Sequence, residues 1–284
     1  MIQKVAVIIL NFKVKEEIKK CIRSVQSSTY KDLEIIVVDN YSQDELEKEI
    51  SSFDDVYFYQ TNKNLGYTGG NNIGIKIALN LGVDYILILN PDTTIDKKCI
   101  ENLVKGIEKN KAGIVGPKIY FSGTKTIWYA GGVMDLANVI GRHRGVDEKD
   151  LGQYEKEEET DYITGAAILI KSNVIKKIGL FDENFFLYYE DSDYCMRAKK
   201  AGFKNFYIPN AIVFHDNAKS SGLGSPLQDY FITRNRMLYG AKHLKFRTRF
   251  ALFREAAKNI GNPVRRLAFF DFLIGNFGKG SFKI

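Results

Sequence analysis

VAVIILN at Val5–Asn11 and LEIIVVD at Leu33–Asp39 decide the fold. Each is a continuous apolar run with β-branched residues, stopped by a polar one, as a strand buried in a parallel sheet requires. Between them residues 16–27 place Ile18, Cys21, Ile22 and Val25 at helical spacing, which writes a β-α-β unit into the N-terminal stretch. Working outward, an extended run over 56–60 leads into a Gly/Asn-rich loop over 62–72. That loop is expected to open a helix over 73–81, ended by Gly82. Tyr85–Leu89 reads as a fourth strand, stopped by Asn90-Pro91-Asp92. Strands alternating with helices predict an open, mostly parallel α/β sheet, with ligands bound beyond the carboxyl ends of the strands. The second half is less regular. It offers strands over 113–120 and 164–170, a glycine-rich loop over 128–145, and an exposed acidic stretch over 155–160. A short helix over 174–179, a longer one over 191–201 closed by Gly202, and strand-like pieces at 205–209 and 211–215 follow.

Hydrophobic content of 45% and charged content of 26%, with only five prolines in 284 residues, exclude disordered and fibrous classes. The apolar runs are far shorter than the ~18 residues of a membrane span, and the run after Lys4 is too short for a secretory signal core. Cys21, Cys99 and Cys195 are widely spaced and form no C-x-x-C pair, so a reduced, cytoplasmic chain is expected. The net charge of +7 is unevenly placed: residues 242–284 carry ten Lys/Arg against two acids, and the preceding 241 residues sum to −1. That argues against nucleic acid as a partner. The same tail interleaves its cations with Phe246, Phe250, Phe253, Phe269, Phe270, Phe272 and Phe277. Basic and aromatic residues so mixed suit peripheral contact with anionic lipid; a helical subdomain packed on the core with a solvated basic face is the alternative.

Asp39 and Asn40 end the second strand and Asp92 the fourth, where a carboxylate can reach a ligand over the sheet edge; Asp and Asn also simply start turns there. Pro91 fixes the turn after an apolar strand, and Asp92 beyond it could hold Mn2+ or Mg2+ bridging two phosphates. Glu190, Asp191 and Asp193 crowd a helix start directly after the aromatic run FFLYY at 185–189. First-turn acids oppose the helix dipole, but burial beside aromatics and like-charge repulsion would raise their pKa and suit one to take a proton from a hydroxyl. His215 closes an apolar strand ahead of a mobile-looking 219–222 segment and could complete a metal site with Asp92. His143, between two arginines, is given no metal role. The glycine loop 64–72 is not a P-loop, since no Gly-Lys-Ser/Thr follows.

In order, VAVIILNF, LEIIVVDN, NKNLGYTGGNNIGI, YILILNPDT, TGAAILI, GLFDENFFLYYEDSDYCMRAKKAG, the strand ending in His215 and YFITRNR resemble a family 2 glycosyltransferase, closest to its bacterial rhamnosyltransferase-like branch. The resemblance spans residues 5 to about 240. It implies the glycosyltransferase A-type fold, with a nucleotide-sugar half (1–115), an acceptor half of the same domain (116–241) and a basic C-terminal extension (242–284). Asn11, Phe12, Asp39, Asn40, Asn64, Gly70 and Asn90 would meet the dTDP- or UDP-linked donor. Asn90-Pro91-Asp92 stands in the place of the family's Asp-x-Asp, which leaves Asp92 as its strong carboxylate, with His215 joining the metal. Asp191 would be the general base with Glu190 orienting the acceptor or the base, or the reverse. Arg234 would help neutralise the departing diphosphate. The reaction implied is inverting transfer of a sugar, L-rhamnose first among candidates, to a glycan or polyprenyl-linked acceptor at the inner face of the cell membrane. A homodimer is compatible with this reading. A sugar nucleotidyltransferase and a non-catalytic nucleotide- or carbohydrate-binding module are the alternatives. Against the first, the place after the opening strand holds NFKVKEE rather than a glycine-rich phosphate loop.

Overall fold

The computed structural model of the chain describes residues 3–216 and 224–283. Its first half runs β1 (Val5–Asn11), α1 (Lys15–Gln26), β2 (Leu33–Asp39), α2 (Leu46–Ile50), β3 (Val56–Gln60), α3 (Gly66–Asn80) and β4 (Tyr85–Leu89). β1 lies between β2 and β4 in parallel register, with Asn11 opposite Asp39 and Ile9 opposite Leu89. This is the arrangement that the apolar runs demand.

The helix expected to open at 73 starts instead at Gly66. Packing overrides the poor helix propensity of its glycines. A Cβ on Gly74 would stand 2.5 Å from Ile8 Cγ2, and one on Gly70 would collide with Leu10. The residues that read as a loop are those that let α3 lie directly on β1. Gly66 itself needs its left-handed φ of 72° and would strike Phe186 if it carried a side chain.

The chain continues through β5 (Thr93–Ile95), α4 (Cys99–Lys109), β6 (Ile114–Phe121), β7 (Ile127–Tyr129), β8 (Gly132–Asp135), β9 (Ile140–His143) and β10 (Glu158–Glu159). Then come β11 (Ala167–Lys171), α5 (Ser172–Ile178), α6 (Glu190–Lys200), β12 (Asn205–His215), α7 (Pro226–His243), α8 (Phe246–Lys258) and α9 (Pro263–Leu273). One sheet joins both halves in the order β10-β12-β6-β11-β4-β1-β2-β3. β11 runs antiparallel to β4 and β6, while β12 runs parallel to β6. The two strand pieces expected at 205–215 are a single strand whose register shifts between Ile208 and Ile212, around Pro209, which has no N–H to give the ladder. Within the segment expected as loop, β8 and β9 form a separate two-stranded ribbon.

Two pairings create the site. Because β11 is antiparallel to β4, it starts where β4 ends, with Ala167 opposite Leu89. Because β5 is antiparallel to β12, Thr93 faces His215. At the far end, α7 runs past the 241/242 boundary expected from composition, and α8 and α9 pack on it.

Candidate active site

At the carboxyl edge of the sheet, Asn11 and Asp39 are fully buried and bound to each other. Asn11 Nδ2 donates to Asp39 Oδ1 at 2.9 Å, and the other Asp39 oxygen accepts from Ser42 N and Gln60 Nε2, both at 3.1 Å. Phe12 follows, with Lys13 Nζ 5.2 Å from its ring centre. Asn40 and Asn64, expected at the donor, are bonded to each other and to the start of α3. Asn40 Nδ2 donates to Asn64 Oδ1 and Gly66 O, and Asn40 Oδ1 accepts from Leu65 N at 2.9 Å. Together they fix the start of α3. Gly70, likewise expected at the donor, turns its face to Leu10 instead.

Asn90 begins the turn after β4: its carbonyl accepts from Thr93 N and Thr93 Oγ1, and its own N–H donates to Ala166 O at 2.9 Å. That turn carries Asp92, 8% exposed, against His215; Asp92 Oδ1 and His215 Nε2 are 3.1 Å apart although 123 residues separate them in the chain. The edge of the Trp128 ring system closes over His215, with ring centres 4.6 Å apart, and His143 packs on Trp128 at 4.4 Å. Burial pushes the His143 imidazole down to about 4, so it stays neutral as a packing group. His215 Nδ1 is buried with no hydrogen-bond partner among the described residues. The Asp92 carboxylate and the His215 Nε2 are both of the donor type that a divalent cation takes. Their spacing is close to that of adjacent ligands in the near-octahedral shell of Mg2+, roughly 3 Å for bonds of ~2.1 Å. Among the described residues no group of three or more His, Cys, Asp or Glu could hold a metal. The 219–222 segment singled out in the sequence lies outside the described residues.

Across the crevice, α6 opens with Glu190 and Asp191. Leading into it, Phe186, Tyr188 and Tyr189 all have left-handed backbones, with φ of 62°, 68° and 71°. Each such residue costs on the order of 1–3 kcal/mol and persists only where its surroundings impose it. The restraint comes from Arg234 and Asn235 on α7. Asn235 Nδ2 lies 2.7, 2.8 and 2.9 Å from the carbonyls of Phe185, Leu187 and Tyr188. Arg234 Nη2 donates to the carbonyls of Asn184, Phe185 and Gly278. Arg234 is fully buried, and its donors go to these carbonyls rather than toward Asp92. The diphosphate role expected for it is thus corrected to a structural one. Asn235 lies within YFITRNR, and nothing local in the sequence says that its partners lie about fifty residues upstream.

Glu190 is 6% exposed, and its Oε2 has no partner among the described residues. Burial, then the neighbouring Asp191, pushes its pKa well above the carboxylate range. Asp191 is partly accessible. Burial raises its pKa as well, but hydrogen bonds from Gly165 N (3.1 Å), Ser192 N (2.6 Å) and Ser192 Oγ (3.1 Å) oppose the rise. The environments push the two carboxyls apart, so Glu190 keeps its proton more readily and Asp191 is the better anion. Gly165 borders Ala166, which accepts from Asn90 N, so two hydrogen bonds link the acid pair to the Asp92 turn. Tyr67 adds a third member there, its hydroxyl donating to Gly165 O at 2.6 Å. Asp193 takes no part. Despite its burial, His243, Arg197 and Lys242 hold it down to about 2, and it ties α6 to α7. Beside Ser192, a cleft of about 350 Å³ is lined by Met134, Leu136, Tyr162, Met196 and Tyr239, among others.

A carboxylate beside an imidazole at the end of β4 is tied through Gly165 and Ala166 to a buried acid pair at the start of α6, and residues 6–179 match glycosyl transferase family 2. The chain belongs to that family. Among relatives of this family 2 chain, a low-salt glycan biosynthesis hexosyltransferase of Haloferax volcanii is 28% identical over 240 residues, covering 84% of this chain and 76% of its own length. The N-acetylglucosaminyl-diphospho-decaprenol L-rhamnosyltransferase of Mycobacterium tuberculosis is 26% identical, covering 72% and 73%. A mannosyltransferase from Pyrobaculum calidifontis, solved with GDP-Man and Mn2+, shares the fold with a TM-score of 0.64 at 13% identity, covering 98% of this chain and 82% of that one. The glycosyltransferase A-type fold and the transferase class expected from the sequence both stand; the nucleotidyltransferase and binding-module alternatives fall. Among the described residues no helix is long and apolar enough to cross a membrane.

Proposed function

We propose that the chain is an inverting hexosyltransferase that moves L-rhamnose from a dTDP- or UDP-linked donor to a hydroxyl of a glycan or polyprenyl-linked acceptor, in the assembly of cell-surface polysaccharide. The Glu190–Asp191 pair carries this reading, held on a strained loop beside the turn that brings Asp92 to His215. The donor lies along the carboxyl ends of β1, β2 and β4, its base end toward Asn11, Phe12 and Asp39 and its diphosphate toward Asn90 and Asp92. Asp92 and His215 would hold Mn2+ or Mg2+, which would supply charge to offset the leaving diphosphate. Asp191 takes the proton of the acceptor hydroxyl as its oxygen bonds to the anomeric carbon. The bond from that carbon to the diphosphate oxygen breaks on the opposite face, and the electron pair leaves with the diphosphate. Configuration inverts and no covalent enzyme intermediate forms. Glu190, still protonated, orients the acceptor or the base. The acceptor enters past Ser192 and its cleft, from a membrane face that residues 242–284 contact.

The rhamnose assignment is supported by the mycobacterial relative's name and by the branch that the motifs resemble. Thermal stabilisation by a panel of nucleotide sugars with Mn2+, followed by diphosphate release with and without a polyprenyl-linked acceptor, tests it. Stabilisation and acceptor-dependent release with dTDP-rhamnose are expected. Release with another hexose donor alone would replace the sugar, and no acceptor-dependent release with any donor would overturn the reading.

A further inference from the structure

Half of the large hydrophobic residues that stand exposed among the described residues fall between 246 and 274, about a tenth of the chain. They are ordered. On α8, Phe246, Phe250 and Phe253 follow i, i+4, i+7 spacing and are 76%, 52% and 41% exposed. On α9 and its cap, Leu267, Phe270 and Ile274 follow i, i+3, i+7 spacing, and Ile274 is 74% exposed. The inward faces are separate, with Leu252 and Ala256 on α8 and Ala268 and Phe269 on α9. Phe269 joins the stripes, its ring centre 5.2 Å from Phe253 and 6.1 Å from Phe270. A continuous apolar band of this kind on a folded surface marks an interface.

The band is bordered by cations. Arg247, Arg249, Arg254, Lys258 and Arg266 are exposed and make no ion pair among the described residues, while Glu255 is engaged by Arg236. A second copy seated on this face would bring two sets of uncompensated cations together. Anionic headgroups would neutralise them. We propose that α8 and α9 form an interfacial seat on an anionic bilayer, with Phe246, Phe250, Phe270 and Ile274 entering the acyl boundary and the five cations at headgroup level.

The seat is wired to the acid pair. Asp271, on the buried face of α9, accepts from the Tyr230 hydroxyl, and Arg234 Nη1 lies 3.4 Å from that hydroxyl. Arg234 in turn holds the loop that enters α6, and Gly278 N donates to Asn184 O at 2.9 Å. A lipid-linked acceptor lying in the same bilayer would thus meet a face joined through Asp271, Tyr230 and Arg234 to the loop that carries Asp191. This last step rests on the proposed transferase reading; the lipid contact does not.

The test is sedimentation of the full chain with vesicles of phosphatidylcholine alone or with about one-third phosphatidylserine. At about fivefold per headgroup-level cation, binding to the anionic vesicles should be at least ~10²-fold tighter, and should weaken more than tenfold between ~0.1 and ~0.5 M salt. Phe246→Ser/Phe250→Ser/Ile274→Ser and, separately, Arg247→Glu/Arg254→Glu should each abolish it at unchanged thermal midpoint. Equal binding to neutral vesicles, or none to either, would overturn the seat. So would a dimer by light scattering that the triple serine variant dissolves, which would identify a second copy as the occupant. Turnover with a short water-soluble acceptor separates the readings: transfer without vesicle binding defeats the seat alone, and vesicle binding without transfer defeats the proposed reaction alone.

Discussion

Asn235→Ala tests whether the strained loop is part of the catalytic machinery. The side chain offers two N–H groups to three carbonyls, at 2.7–2.9 Å, and accepts from Arg234 Nε at 3.0 Å. Removing it strips three buried carbonyls of a donor. At about 1 kcal/mol per hydrogen bond, with a further penalty where the carbonyl stays dry, the loss is roughly 2–4 kcal/mol. The three left-handed residues it restrains store on the order of 3–9 kcal/mol. The two ranges overlap, so the loop should relax and carry Glu190 and Asp191 away from the Asp92 turn. A displacement of about 1 Å is enough for ~10²-fold in rate. Diphosphate release by the variant should therefore show kcat down by about 10²-fold, with KM for the donor within about threefold, because β1, β2 and β4 are untouched. The melting midpoint should fall by roughly 5–10 °C, and the fold should persist at 25 °C. A folded variant with unaltered kcat would refute the claim that Asn235 positions the acids. Equal loss through donor KM would show a general structural role instead.

Three further outcomes follow. A base works only when ionised, and burial holds Asp191 above the ordinary aspartate value, so kcat should fall with decreasing pH at a higher pH than the ~3.9 of a free side chain; a limb at or below that value in the kcat–pH profile would contradict this. Glu190 has a folded pKa above its unfolded one, so the fold binds the extra proton and stability falls as pH rises through the folded pKa; Glu190→Gln should therefore raise Tm by about 2–4 °C at pH 8 but little near pH 4, as calorimetry at both would register. Gly70→Ala should lower stability by roughly 1–3 kcal/mol in urea unfolding by forcing α3 off Leu10, whereas a residue that merely lined the donor would leave stability unchanged.

What was legible in the sequence was what apolar patterning and turn chemistry dictate locally. β1, β2 and β4 are written as buried runs; β1 and β2 end at Asn11 and Asp39, and β4 ends at Leu89, directly before Asn90. The positions of Asp92 and His215 at strand ends and of Glu190 and Asp191 at a helix start were legible, and the structure brings Asp92 against His215. The start of α3 is not legible locally because Gly66, Gly69, Gly70 and Gly74 have poor helix propensity, and the reasons for three of them lie far away in sequence: Phe186 for Gly66, Leu10 for Gly70 and Ile8 for Gly74. The β8–β9 ribbon was hidden for the same reason: Gly132 has no room for a side chain beside Tyr162. Asn40, Asn64 and Arg234 are polar residues whose bonds run to backbone and to neighbouring side chains within the protein, and no spacing rule separates those from residues that meet a substrate. Asn235 shows the converse: its Nδ2 donates to three carbonyls of the segment that enters α6, about fifty residues away in sequence.

The claim on which the rest depends is that Asp191 acts as base in a crevice where the donor is held by other residues. Donor titration by calorimetry together with single-turnover sugar transfer, on wild type and Asp191→Asn, tests it most directly. The account predicts donor affinity within about threefold and transfer slowed by about 10²-fold or more. Transfer at the wild-type rate, or loss of donor binding in step with transfer, would contradict it.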